Sequence, residues 1–405
     1  MPEPEPAHRG RRWVLSVLRV AAATAILGAL LAYSIVHVAH RRLPRPNTLT
    51  SENRALGAYH VHSDASHDGT WSLEQLAAMA AAQNLDFLVV TDHNNQLPQP
   101  IQIDGVTILS FAELSTPFGH VVQLGAPRLL RRELREQLAV HRHIRAAGGW
   151  PILAHPSDPK NPWTGPLAGA AGLEINNVAA SLRRRGGPGF LRLLADVPIF
   201  QLNPKLALAQ LYMADPGARA VWARAPNPNT VGFCANNLHG RIPAARHLLT
   251  FWTLVVEGEW PPANASKPQA LLHALATGNF YCSAGLFGGP LPLRFGARRD
   301  GDWLALPERN VARNQVDELA AVGPVLAGAP DSRMRLVLLR RGEPVAKTRG
   351  ATLRYPNPLP GNYRVEVHMV IPDPIWGRHV APVAYSNRIR VNAGAAPAPP
   401  ATPPL

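Results

Sequence analysis

Ligand-type residues stand again and again at the downstream ends of short apolar runs. His60 and His62 bracket the end of the run beginning near Ala58, and Asp92-His93 end LDFLVVT. Glu113 ends VTILSFA, with His120 a turn beyond it. His155 ends WPILA, and Asn237 and His239 follow TVGFC. Runs of this length between turn residues read as buried strands, and helical stretches alternate with them. Strands over Ala58–Val61, Leu85–Thr91, Val106–Phe111, His120–Leu124, Trp150–Ala154, Gly172–Ile175, Pro198–Leu202, Thr230–Cys234 and Asn279–Ser283 are expected. Helices are expected from Ser72, which has capping-box spacing to Gln75, over a basic stretch at 129–147, and over Leu271–Thr277. Parallel strands of a βα barrel converge at their C-terminal ends, where active sites form. One such histidine is unremarkable; a series in the same position predicts a metal centre.

The chain of 405 residues is 46% hydrophobic and 17% charged, which excludes wholesale disorder. Its net charge of +14 comes from scattered arginines rather than from a basic patch interleaved with aromatics, so no nucleic acid is expected as a partner. Residues 1–12 read as a disordered tail, and residues 13–38 as an uncleaved transmembrane helix, long enough to span a bilayer. The lipid bilayer is therefore one expected partner. Arginines flank the span on both sides, so charge barely orients it. A short tail followed by a large body favours a single-pass protein of a bacterial inner membrane with a periplasmic body. Residues 39–56 form a linker. Cys234 and Cys282 read as buried small hydrophobes rather than as a disulfide.

The motifs resemble those of the PHP (polymerase and histidinol phosphatase) superfamily, in order. HVHSDASHDGT (60–70) and VVTDHNN (89–95) resemble its first two motifs. AELSTPFGH (112–120) resembles its glutamate and glycine-histidine motif, LAHP (153–156) its histidine-proline motif, and NNLHG (236–240) its last. The resemblance implies an α/β fold over 57–288, a distorted (β/α)7 TIM-like barrel holding two or three divalent cations (zinc, manganese or iron). Carried over by position, His60 and His62 bind the first metal and Glu113 bridges it to a second held by His120 and His155. Asp68, His93 and His239 hold the third, with His67 the rival to Asp68. Asp92 orients or caps rather than ligates. Asn237 stands where the family has a ligating aspartate, and an amide supplies no negative charge.

The implied activity is metal-dependent hydrolysis by a metal-bound hydroxide, first of all of an anionic phosphoester. Glu113, His155 and Asp68 carry the catalysis, and Lys160 and Arg241 are candidate phosphate contacts. Asn176 and Asn177 are placed either to line the pocket or to form a turn. Hydrolysis of a carboxyl ester, amide or carbamate is the alternative, as is a binding protein impaired by Asn237. From about 289 to 392 the alternation over 333–348 and 363–371, with turn chemistry at Leu359–Asn362 and an ending SNRIRV (386–391), predicts a small β-sandwich-like domain. Residues 393–405 form a Pro/Ala tail.

Overall fold

Aliphatic and β-branched runs become strands wherever turn residues interrupt them. The computed structural model describes residues 7–41, 46–49, 54–98, 100–184, 215–241, 243–257, 267–287, 289–306, 309–326, 333–373 and 377–393. Helix α1 (Ala7–Arg41) contains one stretch, Trp13–Val38, long and apolar enough to cross a membrane. It begins at Ala7, so residues 7–12 are helical rather than part of a disordered tail.

The site-bearing strands are β1 (Leu56–Val61), β2 (Phe87–His93), β3 (Ile101–Ile103), β4 (Val106–Thr116), β5 (Gly119–Leu124), β6 (Trp150–Leu153), β7 (Gly172–Asn177) and β8 (Val231–Ala235). They are followed by β9 (Trp252–Val256) and β10 (Phe280–Ala284). β1, β2 and β4 pair in parallel, as do β6, β7 and β8. β5 lies antiparallel to both β4 and β6, so all six point the same way. Thr116 to Gly119 turns β4 directly back into β5, so the start of β5 sits beside the end of β4. His120 reaches the site from the beginning of a strand, the one expected at His120–Leu124, which runs antiparallel to its neighbours. β9, absent from the expected strands, joins antiparallel to β1 and β10.

The strand ladder is open, and no closed barrel is present among the described residues. One parallel bridge, Val61 to Leu238, brings the chain beyond β8 back to β1. There the His62 N–H donates to Leu238 O at 2.9 Å and the Leu238 N–H to His60 O at 3.3 Å.

Helix α2 (Leu73–Ala81) has the expected capping box, with Gln75 N–H donating to Ser72 Oγ and Ser72 N–H to Gln75 Oε1. The basic stretch forms two short helices, α3 (Arg132–Arg135) and α4 (Val140–Ala146), instead of one. α5 (Val178–Arg184), α6 (Pro216–Arg224) and α7 (Lys267–Thr277) follow. The strand expected at Pro198–Leu202 lies outside the described residues.

The C-terminal strands are β11 (Arg294–Arg299), β12 (Asp302–Trp303), β13 (Asn310–Ala312), β14 (Glu318–Val322), β15 (Met334–Arg340), β16 (Glu343–Arg349), β17 (Thr352–Pro356), β18 (Gly361–Asp373), β19 (Gly377–Ser386) and β20 (Ile389–Asn392). β19 pairs with β10, so the main sheet runs on into this part. β11, β12, β14 and β17 form a second, four-stranded sheet. β15 and β18 do pair antiparallel, but Leu359–Asn362 is not a direct turn between them. β16 folds back on β15 first, and β17 crosses to the other sheet. Ser386 ends β19, and the last strand begins at Ile389.

Polar anchors fix this part to the site-bearing strands. Asn387 accepts from Gly232 N–H at 2.8 Å and donates to Phe280 O at 3.1 Å. The Trp222 ring on α6 lies between the Arg364 and Arg388 guanidiniums, 4.8 and 4.6 Å from its centroid.

Cys234 and Cys282 form a disulfide between β8 and β10, with Cα atoms 5.9 Å apart. Two buried thiols were the expectation. Their spacing of 48 residues carries no sign of it, because β8 meets β10 only where the sheet curls the end of β8 back to β1.

Candidate metal centre

β1 does not deliver its two histidines by simple alternation. Its register with β2 slips between Tyr59 and Val61, leaving His60 as an extra residue. His60 has φ 63°, a left-handed backbone that side chains rarely adopt. His155 (φ 30°) and Asn237 (φ 49°) share that region, so three positions at strand ends hold strained backbone around one centre. The bulge turns both imidazoles inward, with His60 Nε2 3.1 Å from His62 Nε2.

Glu113, fully buried on β4 where its parallel pairing with β2 ends, is the hub. Its Oε2 lies 3.1 Å from His60 Nε2, 3.5 Å from His62 Nε2 and 3.4 Å from His93 Nδ1. Its Oε1 meets His120 Nδ1 at 2.8 Å and His155 Nε2 at 2.9 Å. Asp68 takes the other side, with Oδ2 3.2 Å from His239 Nδ1 and 3.4 Å from His93 Nε2. Ser66 Oγ donates to Asp68 Oδ1 at 2.8 Å and also accepts from His93 N–H, tying the two loops together. A Cβ on Gly69 would sit 1.9 Å from Ser63 O, so only glycine lets this loop fold tightly enough to present Asp68.

Three overlapping groups could hold a metal ion: His60, His62 and Glu113; His62, Asp68 and His239; and His93, Glu113 and His120. All eight histidine and carboxylate positions expected as ligands therefore meet in one place, His155 through Glu113. The division differs from the expectation, since His62 rather than His93 joins Asp68 and His239. The His67 ring lies tilted beside His93, 5.1 Å between centroids, and belongs to none of the three groups. Asp92 caps the loop after β1, accepting from Ser63 N–H and Oγ–H at 2.7 Å each. Asn237 Oδ1 faces His239 Nε2 at 3.0 Å.

Several groups carried no advance signal. Glu174, fully buried on β7, meets His60 Nδ1 at 2.5 Å and accepts from His155 N–H at 2.7 Å. Its only trace was a lone carboxylate inside an apolar strand, a costly placement without partners. Asp158 lies beneath His155, 3.8 Å from Nδ1, and receives the Arg183 guanidinium. An open cleft of about 360 Å³ runs over Asp68, His93, His120 and His155, with Lys160 and Arg183 on its rim. Arg241 instead donates to the Asp68 backbone oxygen and does not line the cleft. Asn176 and Asn177 are buried rather than lining. Trp252 Nε1–H donates to Asn176, and Asn177 caps the first turn of α5 through Ala180 N–H.

Burial and the two buried carboxylates set the electrostatics of the cluster. Burial disfavours charge on His60, but Glu174 and Glu113 outweigh it and push the ring up to about 10. Burial opposes ionisation of Glu113 too, yet His60, His120 and His155 hold it well below the usual carboxylate range. Burial, reinforced by His60, drives His62 well below the usual range, and burial brings His239 down to about 4 against the pull of Asp68. These two rings stay neutral, with lone pairs for coordination. The buried Nδ1 atoms of His62, His155 and His239 have no hydrogen-bond partner. Converging imidazole and carboxylate donors with orphaned nitrogens fit a divalent cation.

No protein-family model matches this chain, and no curated protein matches it.

Proposed function

We propose that this chain is a membrane-anchored, metal-dependent hydrolase of the PHP type, acting on an anionic phosphoester. The observation carrying the reading is the gathering of five buried or half-buried imidazoles and Asp68 around the Glu113 carboxylate, at one end of six like-directed strands. The return bridge from beyond β8 to β1 supports reading those strands as a distorted (β/α)7 barrel.

Glu113 would hold two cations together, with His60 and His62 on one side and His93, His120 and His155 on the other. Asp68 and His239, with His62, would hold a further one. Zinc, manganese or iron suits this mixture of imidazole and carboxylate. Bound there, the cations would supply Lewis acidity to a substrate oxygen and to water. The protein supplies the rest. Lys160 and Arg183 face the cleft as cations for phosphate oxygens, and Asp158 orients the Arg183 fork. Two rim cations favour a phosphoester over a neutral carboxyl ester.

A helix that can span a bilayer and a disulfide in the body together support a body on the oxidising side of an inner membrane. A panel of chromogenic phosphate esters, set beside aryl esters, tests the activity. Turnover of phosphates that disappears in His62→Ala and His155→Ala is the expected result. Turnover that survives both substitutions would refute it.

A further inference from the structure

Asn237 is the position where this site departs from the resemblance that suggested it, and its surroundings explain an amide there. The Glu174 carboxylate can only accept. Its Oε2 receives His155 N–H and Asn177 Nδ2–H, both at 2.7 Å. That fixes the Asn177 amide, because its NH2 must face the carboxylate and its Oδ1 must accept from Ala180 N–H at 2.9 Å. The same Oδ1 lies 3.3 Å from Asn237, which must present its own NH2 there. Asn237 Oδ1 is then left to face His239 Nε2 at 3.0 Å, so that nitrogen carries the proton. At the other end Glu174 Oε1 receives His60 Nδ1–H.

We propose that Glu174, Asn177 and Asn237 form one hydrogen-bonded chain that sets the tautomers of His60 and His239, with Asn237 a positioning residue rather than a weakened metal ligand. The inference rests on the metal reading given above. Once a cation replaces the second ring proton of His60, the chain leaves His60 Nε2 free toward Glu113 and His62, and His239 Nδ1 unprotonated toward Asp68. A carboxylate partner raises the donor strength of the ligating ring, as in carboxylate–histidine–metal arrangements. Glu174 thereby supplies, through His60, the negative charge that Asn237 lacks. An aspartate at 237 would set an oxygen against Asn177 Oδ1. Rotating Asn177 to meet it would set an oxygen against Glu174 instead.

Glu174→Gln is diagnostic because its orientation is forced. Two N–H groups occupy the Oε2 position, so the glutamine oxygen must stay there and its NH2 must face His60 Nδ1. His60 then carries its proton on Nε2, where it blocks coordination.

The test uses the full chain in detergent, loaded with zinc. Metal content and chelator competition are measured for the native chain, Glu174→Gln and Asn237→Asp. Nitrogen-15 spectra of labelled histidine in the native chain report each tautomer directly. The expected results are zinc bound roughly tenfold or more weakly by Glu174→Gln, no gain in Asn237→Asp, and a proton on His60 Nδ1. A native chain that binds no zinc would remove the metal reading itself. A loaded native chain with equally tight Glu174→Gln, or Asn237→Asp tighter by tenfold, would overturn this inference alone. If Glu174→Gln does not fold, the native spectrum decides, and a proton on His60 Nε2 would overturn it.

Discussion

His239 Nδ1 lies 3.2 Å from Asp68 Oδ2, while its other ring nitrogen faces Asn237 Oδ1. With the ring proton on Nε2, as proposed, Nδ1 and the Asp68 carboxylate are both acceptors, and a bound cation would satisfy the pair. Asp68→Ala is therefore expected to lose about one metal equivalent by elemental mass spectrometry and to lower kcat/KM by at least about 100-fold. An unchanged metal count would separate Asp68 from the centre.

Arg183 sits on the cleft rim with Asp158 orienting it, away from the Glu113 hub. Arg183→Ala is expected to raise KM for a phosphoester by about tenfold, with a smaller change in kcat, because it removes ground-state and transition-state contacts alike. Initial-rate kinetics on phosphate and aryl esters would check this. The aryl-ester KM should stay where it is.

The disulfide between Cys234 and Cys282 closes a loop across 48 residues. The loop-entropy estimate gives it about 4 kcal/mol. Cys234→Ser, or reductant, should lower the midpoint of denaturant unfolding accordingly, and thiol labelling of the native chain should find no free cysteine.

Glu366 is buried between Arg219, Arg364 and His368. Burial opposes its ionisation, but the His368 hydrogen bond and the two guanidiniums hold its pKa down to about 2, from a usual 4.5. A depressed carboxylate contributes stability that is fully present above the unfolded value and is lost as pH falls through the folded one. The window is thus about pH 4.5 to 2, worth about 3 kcal/mol. Unfolding free energy measured against pH should decline there, and Glu366→Gln should flatten the decline.

The positions of His93, Glu113 and His155 were legible because each ends an apolar run, which is a local property of the sequence, although β4 itself continues past Glu113 to Thr116. What depends on pairing was not legible. The reversal of β5 lies in the turn from Thr116 to Gly119, and the bulge at His60 exists only in register with β2. Glu174 reads as one carboxylate in an apolar strand until β6 and β1 bring His155 and His60 to it. β9 was missed because WTLVV carries no ligand-type residue and no periodicity that separates a strand from a buried helix. The disulfide required the curl that returns β8 to β1, which cysteine spacing does not encode.

Metal content of the purified full chain tests the central claim most directly. Elemental mass spectrometry after zinc or manganese loading and desalting should find at least two equivalents, falling to about one in Glu113→Ala, which removes the carboxylate shared by two of the three groups and leaves His62, Asp68 and His239. A native chain that retains no metal under those conditions would contradict the account.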